Sequence, residues 1–479
     1  MITDKYDLLR NYIRVSRDRL CELIKKSVPS ELYCRIDQWL ERLLSEEGEL
    51  SIAHDTLKNE IELLEEELNT EKNISSMKAS SFDKLKRISG AINTLKKEPV
   101  ISFLSRYNLI PKYGFPVDCV ELRVRGDLIK KSSLRLERDM KIAVGEYAPG
   151  SQIIADGMIY TSRYISKPPS KEREWKIYAY GKCTNPLCEN VNVRIHTFNE
   201  EISIGQCSFC GEEVQKIGEF IVPESGFIAE NHAEKAYTKK PAKNYVGYIN
   251  YIGKIQEEEN RIRKTHFLSD KKIELISSFD DELLVLSRSS FYVCPICGYA
   301  EKAKEQSAIS RRKTVQHKRP GGYACRPNSM QLYSLGHTFR TDVVRIDFYE
   351  TTDHVGELSV LYTLLEGISR TLKIERSDID GCVQKIKTQD GYAESFIIFD
   401  NVPGGAGHVS RIMKLENDEF RKLLLSSYEV VNKCTCGGDS GDSACYGCLW
   451  NYSNQNFHNI LSRKAAKQYL EKYLCDNQL

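Results

Sequence analysis

The sequence predicts a multidomain protein of mixed α+β and α/β class. Three observations lead to this prediction: an apolar repeat of helical spacing near the N-terminus, closely spaced sets that hold eleven of the sixteen cysteines, and alternating strand-like and helix-like segments after residue 340. A length of 479 residues suggests about three domains. The predicted regions are 1–98 (helical, coiled-coil-like), 99–174 (mixed β), 175–222 (cysteine ribbon), 223–290 (linker or mixed), 291–340 (second cysteine site with a basic loop) and 341–479 (C-terminal α/β domain).

The composition indicates a folded protein rather than a disordered chain, because 41% of the residues are hydrophobic and 28% are charged. The formal net charge is only +2, so any nucleic-acid site would have to be a local basic patch. A charged N-terminus and the absence of any run of eighteen apolar residues predict a cytoplasmic protein without a membrane segment. In that reducing compartment, clustered cysteines are expected to bind metal rather than to form disulfides.

The N-terminal region carries a heptad-like seam between Leu40 and Leu68, where leucines and isoleucines recur at steps of three and four residues. This pattern is typical of a helical hairpin or coiled coil that docks on a partner. It is equally typical of an amphipathic helix that packs on the protein's own body. In the mixed β region, the segments LRLERDMKIAV and SQIIADGMIYTSRYI alternate apolar and polar residues and are predicted to be strands.

The ribbon region predicts a first zinc site. A strand with alternating valines lies between two cysteine pairs, and four thiolates on two knuckles suit a closed tetrahedral zinc ion. The predicted ligands of this zinc ribbon are Cys183, Cys188, Cys207 and Cys210.

A second zinc site is predicted to begin at the knuckle formed by Cys294 and Cys297. Only one further cysteine, Cys325, follows nearby, so a fourth ligand of another type is needed. Imidazole nitrogen is an ordinary zinc ligand. His317 is the preferred fourth ligand, and His337 is the substitute.

The loop that this second site closes is strongly basic. Within nine residues it contains Arg311, Arg312, Lys313, Lys318 and Arg319. Clustered basic side chains favour phosphate binding, because each phosphate that they neutralise releases condensed counterions. The pattern therefore predicts a DNA-binding loop, although a solvated loop with no partner has the same composition.

The C-terminal region predicts an α/β unit with a third zinc site. A strand at 343–348 is followed by a helix with apolar residues from Leu358 to Leu372, a strand that ends at Asp400, a glycine-rich turn and a last helix. The third set of predicted zinc ligands is Cys434, Cys436, Cys445 and Cys448. About three structural zinc ions are therefore expected.

Several long segments resemble the MrfA-like zinc-binding-domain family of helicase-associated proteins. They are FLSRYNLIPKYGFPVDCVEL, IAVGEYAPGSQIIADGMIYTS, LGHTFRTDV, FDNVPGGAGHV and CYGCLWNYSNQNFHNILSRKAA. Within the family the resemblance is closest to the DISARM anti-phage component DrmB. The resemblance implies a zinc-stabilised subunit that partners a superfamily 2 DNA helicase and assists DNA binding in prokaryotic antiviral defence.

The sequence contains neither a Walker A motif nor a DExH box, so it is predicted not to be an enzyme, and a partner chain would supply the motor. One alternative is a metal-dependent nuclease or hydrolase in the C-terminal unit. Its candidate residues at strand ends are Asp342, Glu394, Asp400 and His408. Carboxylates at such positions more often cap a turn or helix. Another alternative is an adaptor that contacts only protein.

Overall fold

The computed structural model divides the chain into two compact units, Met1–Asp118 with Lys167–Glu174, and Cys119–Ser166 with Trp175–Leu479. The residues that the structure describes are 2–25, 40–41, 43–45, 48–74, 85, 88–90, 92–93, 95–96, 100, 103–104, 119–124, 136–168, 175–195, 203–231, 233–236, 247–253, 262–303, 312–326, 329–388, 391–401, 405–438 and 440–474.

The first unit is helical, as predicted. Its helices include Ile2–Val15 (α1), Arg17–Lys25 (α2) and Glu49–Ile74 (α3). Steps of three and four residues place the apolar seam on one side of α3 and of the short helical segment before it, and the seam is buried in a single cluster. The buried seam residues include Leu43, Leu50, Leu57, Ile61 and Leu64. Pairing of this seam as a coiled coil stays a prediction.

The second unit combines strands and helices, which confirms the mixed α/β class. Its strands are Cys119–Arg123 (β1), Glu137–Asp139 (β2), Gln152–Ala155 (β3), Met158–Ile165 (β4), Lys176–Cys183 (β5), Val191–Ile195 (β6), Val214–Val222 (β7), Phe227–Ala229 (β8), Glu234–Lys235 (β9), Gly247–Tyr251 (β10), Ile262–Leu268 (β11), Lys271–Val293 (β12), Ala300–Lys302 (β13), Arg312–Thr314 (β14), Ser329–Asp347 (β15), Ile379–Thr388 (β16) and Gly391–Asp400 (β17). Its helices are Met140–Glu146 (α4), His354–Leu372 (α5), Asn417–Asn432 (α6) and Arg463–Leu474 (α7).

The smaller sheet has the strand order β2-β1-β8-β4-β3, with β9 paired to β4. Helix α4 follows β2 and overturns part of a sequence prediction, because the segment MKIAV was expected to be a strand. Asp139 caps the helix by accepting a hydrogen bond from the Lys141 backbone N–H at 2.8 Å. Met140, Ala143 and Val144 then bury one helical face. The apolar spacing of this segment fits both the strand period of two residues and the helix period of about 3.6 residues. The capping by Asp139 favours the helix.

The larger sheet follows the path β10-β12-β15-β7-β5-β6, and β17 and β16 extend it from β15. The strands of the cysteine ribbon are therefore part of this sheet. The connection is a short parallel pairing of β7 with β15, in which Phe220 lies opposite Ser334 and Ile221 lies opposite Leu335. Strand β15 continues through residues 340 and 341, so the ribbon and the C-terminal helices are attached to one continuous strand.

Alternate residues of β15 and β17 belong to two different cores, because successive side chains of a strand point to opposite faces. Val344 and Ile398 pack with α5, α6 and α7, whereas Val343 and Phe399 pack in the core that contains α4. Helix α5 approaches α6 closely at Gly367. A Cβ atom at this position would lie 1.8 Å from Ser427 Oγ, so only glycine permits this approach.

Candidate metal centres

The first group of clustered side chains joins the cysteine ribbon to the body of the sheet. Its members are Cys183, Cys188, Cys207 and Cys210. Two of the Sγ–Sγ distances are 3.3 and 3.8 Å. The Asn190 side chain donates one hydrogen bond to Cys188 Sγ at 3.2 Å and another to the Lys385 carbonyl oxygen at 2.9 Å. The amide thereby links the sulfur cluster directly to β16.

The second group places an imidazole among three sulfurs. Its members are Cys294, Cys297, His317 and Cys325, whose ligand atoms all lie within 4.8 Å of one another. His317 Nδ1 lies 2.8 Å from the Val315 carbonyl oxygen. A carbonyl only accepts, so Nδ1 carries the proton and Nε2 keeps its lone pair. Nε2 is buried and has no hydrogen-bond partner among the described residues, which is the state expected of a metal ligand.

The substitute ligand lies elsewhere. His337 is a residue of β15, opposite Val285 in the neighbouring strand, and its ring stacks against Phe339. It does not belong to the group of four. The structure thus brings His317, and not His337, to the three cysteines.

The third group is attached to the core that the C-terminal helices share. Its members are Cys434, Cys436, Cys445 and Cys448, with Sγ–Sγ distances of 3.6, 3.7 and 3.9 Å. Cys448 is 4% exposed and belongs to that core. Arg463, the first residue of α7, donates hydrogen bonds to the carbonyl oxygens of Cys436 at 2.7 Å and Gly438 at 2.9 Å. These hydrogen bonds tie the start of α7 to the third group.

The spacing of the sulfurs fits zinc. A Zn–S bond of about 2.3 Å in tetrahedral geometry separates two sulfurs by about 3.8 Å. The Sγ–Sγ distances of 3.3 to 4.0 Å in the structure lie around this value. A disulfide would require about 2.05 Å, and the described cysteines are free thiols. The prediction of about three zinc sites is confirmed, since three groups of suitable ligands are present.

The electrostatics of the clusters also favour a cation. Burial raises the pKa of Cys188 and of Cys436 to about 11. A hydrogen bond from Cys297 lowers the pKa of Cys294 to about 4. Neighbouring thiolates also repel one another. A divalent ion removes this repulsion and allows every sulfur to bind as a thiolate.

We expect about three zinc ions per chain, and His317 provides a sharp test of the second site. Replacing His317 with alanine removes one of four ligands, so the zinc content measured by elemental analysis should fall to about two. The matched control is His337→Ala, which should keep about three ions because His337 lies outside the cluster. Loss of zinc in the control alone would show that the ligand assignment is wrong.

The basic loop is divided by the structure. Arg311 lies outside the described residues. Arg312 and Lys313 belong to β14, and Lys313 forms an ion pair with Glu301. Lys318 and Arg319 are exposed and lie in the segment 317–325, which we call the zinc hairpin because its two end residues belong to the second cluster. The predicted basic residues that the structure describes therefore lie in two places. Arg312 and Lys313 are in strand β14, and Lys318 and Arg319 are on the exposed zinc hairpin.

The strand-end carboxylate Asp400 is occupied by the backbone. It is fully buried and accepts hydrogen bonds from the N–H groups of Ala406 at 2.6 Å, His408 at 3.1 Å and Val409 at 2.9 Å. Glu394 accepts a hydrogen bond from the backbone of Thr352 at 3.0 Å.

The hydrogen bonds to Asp400 hold the glycine-rich turn in place after β17. Gly405 has a φ of +78°, and a Cβ atom there would lie 2.4 Å from an oxygen of Asp342. Pro403 and Gly404 lie outside the described residues.

Sequence reasoning missed several residues of these sites. The amides of Asn190 and Asn192 lie 3.2 and 3.5 Å from cluster sulfurs, and their alternation beside Cys188 was an available signal. In the zinc hairpin, Tyr323 is 77% exposed. The adjoining Arg326 is exposed as well.

The fold and the three closed four-ligand clusters define a mixed α/β protein stabilised by structural zinc. Residues 360–449, which include the third cluster, match the family described as the MrfA Zn-binding domain. The chain therefore contains an MrfA zinc-binding domain.

The chain is also similar over most of its length to a curated protein. It is 23% identical over 421 residues to the Druantia protein DruE of Escherichia coli (strain UMEA 4076-1). The match covers 78% of this chain and 22% of the relative, so the chain spans less than a quarter of that protein.

Two solved structures of the DUF1998 helicase MrfA are similar to parts of the chain. The structure bound to DNA has 11% identity and a TM-score of 0.30, and covers 74% of this chain and 33% of that one. The structure bound to DNA and AMPPNP has 10% identity and a TM-score of 0.21, and covers 61% of this chain and 32% of that one. Among the described helices, none is both long and apolar enough to cross a bilayer.

Proposed function

We propose that the protein is a non-motor, zinc-stabilised subunit that binds DNA for a superfamily 2 helicase in a prokaryotic antiviral defence system. It acts in the cytoplasm, and the helicase is a separate chain, as in the DISARM system to which DrmB belongs. The MrfA zinc-binding domain supports the link to helicases. The similarity to a Druantia protein supports the defence setting.

The observation that carries the DNA-binding part is the rigid presentation of positive charge. His317 and Cys325 belong to one cluster, so the basic residues Lys318 and Arg319 between them are held on a short, fixed segment. Residues 312–326 contain five basic and no acidic side chains, in a chain whose formal net charge is only +2. Local excess charge of this kind attracts a polyanion, and fixing it beforehand reduces the entropy lost on binding.

The proposal assigns structural rather than catalytic roles to the strand-end carboxylates. Asp400 directs both of its oxygens to backbone N–H groups, which leaves it poorly placed to coordinate a catalytic cation. The sequence offers no phosphate-binding Walker A loop for a motor. Incubation of the purified protein with DNA and Mg²⁺ or Mn²⁺ should therefore leave the DNA intact, and cleavage would favour the hydrolase alternative.

Replacing Lys318 and Arg319 together with glutamine should weaken DNA binding and flatten its dependence on salt. Each lost phosphate contact reduces the slope of log K against log salt concentration by about 0.7 to 0.9, so the double variant should lose up to about 1.8. Fluorescence anisotropy across a salt series measures this slope. The matched control changes two exposed lysines of the C-terminal region, Lys414→Gln and Lys422→Gln, and should leave the slope unchanged.

Two other results would redirect the proposal. An unchanged slope in the hairpin variant would place the DNA interface elsewhere. A wild-type protein that co-purifies with a helicase but shows no salt-dependent affinity for DNA would be a protein-only adaptor. Co-purification from cells that express the neighbouring genes tests the helicase partnership directly.

A further inference from the structure

Backbone hydrogen bonds connect the two arms of the zinc hairpin. The Cys325 N–H donates to the His317 carbonyl at 2.9 Å, and the Arg319 N–H donates to the Tyr323 carbonyl at 2.8 Å. Lys318 and Ala324 form an isolated β-bridge between these two bonds. The Tyr164 hydroxyl donates to the Lys318 carbonyl at 3.2 Å, which attaches the hairpin to β4. The segment is thus held by its own ladder, by the cluster at its base and by a neighbouring sheet.

The tip of the zinc hairpin presents an aromatic ring to solvent. Tyr323 is 77% exposed, the highest exposure among the exposed tyrosines of the described residues. A Cβ atom at Gly321 would lie 3.5 Å from its Cδ2, so the ring rests beside a residue without a side chain. Much of the ring surface is therefore available to a flat partner.

Three basic residues lie on the hairpin that carries this ring or directly next to it. Lys318 and Arg319 lie on the hairpin, Arg326 follows it directly, and all three are exposed. Lys313, by contrast, is matched by Glu301 on the adjacent strand. The combination of an exposed ring and nearby cations suits a ligand that carries a flat aromatic group next to a phosphate.

We propose that Tyr323 stacks on an unpaired base of single-stranded DNA whose phosphates are bound by Lys318 and Arg319. The inference rests on the proposed DNA-binding function and specifies the form of DNA. In a duplex the bases are already stacked on one another, so only phosphates and groove edges are available to the hairpin. In a single strand each base has a free face, and stacking on an aromatic side chain does not depend on base identity. Because the hairpin is already ordered, little conformational entropy is lost when the base binds.

The test compares the full-length chain with two substitutions of Tyr323, using a labelled oligothymidylate and a duplex of equal length. Tyr323→Ala should weaken binding of oligothymidylate about five- to a hundredfold, the loss expected for one stacked base. Tyr323→Trp should retain or increase the affinity, since tryptophan stacks at least as well. Duplex affinity and the salt slope should be unchanged in both variants, because no charge is altered.

A matched control is Tyr452→Ala, which removes a similarly exposed ring (66%) that lies beyond the third cluster. It should not change either affinity. Zinc content should stay at its wild-type value in all variants, which excludes loss of the fold. Wild-type affinity in Tyr323→Ala, with a salt slope that still depends on Lys318 and Arg319, overturns the stacking inference and leaves DNA binding intact. Equal losses on single strand and duplex also overturn it. Absence of salt-dependent binding in the wild type overturns both proposals.

Discussion

Replacing Cys448 with alanine is expected to unfold the C-terminal α/β domain and to reduce the zinc content from about three to about two. Comparable structural zinc sites bind with apparent free energies of about 10–16 kcal/mol, which equals or exceeds the whole stability of a typical domain. Cys448 couples the metal site to the core shared by α5, α6 and α7. We expect the free energy of unfolding to fall by more than about 4 kcal/mol. Thermal unfolding followed by circular dichroism, together with elemental analysis, measures both effects.

The chain offers a closely matched control for this change. Cys382 is also buried, at 8% exposure compared with 4% for Cys448, but it lies outside the three clusters. Cys382→Ala removes the same atoms from a similar environment and should cost only about 1 kcal/mol, with no loss of zinc. If the two variants were equally destabilised and both kept all their zinc, the third cluster would not hold a structural ion.

Replacing Asp400 with alanine should lower the free energy of unfolding by about 4 kcal/mol. The substitution leaves three backbone N–H groups of the turn without their acceptor, and each such group costs about 1–3 kcal/mol when it stays buried. The control is Asp353→Ala at the start of α5, where the carboxylate accepts a single hydrogen bond from the Gly356 N–H at 2.7 Å. Loss of that exposed helix cap should cost about 1 kcal/mol.

Chemical denaturation of both variants measures the difference. Similar stabilities would show that the three hydrogen bonds of Asp400 contribute little. The expected instability also affects the hydrolase test, because loss of activity in Asp400→Ala could follow from unfolding. Asp400→Asn, which keeps one oxygen acceptor, is therefore the better variant for any nuclease assay.

Local patterns made much of the C-terminal region predictable. The apolar steps from Leu358 to Leu372 lie within the helix His354–Leu372, because one face of that helix packs on the sheet. Cysteine spacing also indicated three groups of ligands that the structure brings together. In the second group the sequence favoured His317 and kept His337 as a substitute, and the structure brings His317 to the three cysteines.

Features that depend on distant pairing could not be predicted in this way. Nothing in the ribbon sequence shows that β7 pairs with β15, or that the Asn190 amide reaches the Lys385 carbonyl. The exposure of Tyr323 could not be predicted from the sequence either, because tyrosine is intermediate between buried and exposed residue types. The strand predicted for the segment MKIAV is wrong, because its few apolar residues fit the period of a helix as well as that of a strand.

The pairing of β7 with β15 has a consequence for synthesis on the ribosome. Strand β7 is synthesised well before β15, so Phe220 cannot pair with Ser334 until more than a hundred further residues have been translated. During that interval an unpaired strand edge is exposed to other nascent chains, a common route to aggregation. The four sulfurs of the ribbon are all translated before this wait begins. Zinc bound early to these four sulfurs would hold the end of β5 next to the segment that leads into β7 during this interval.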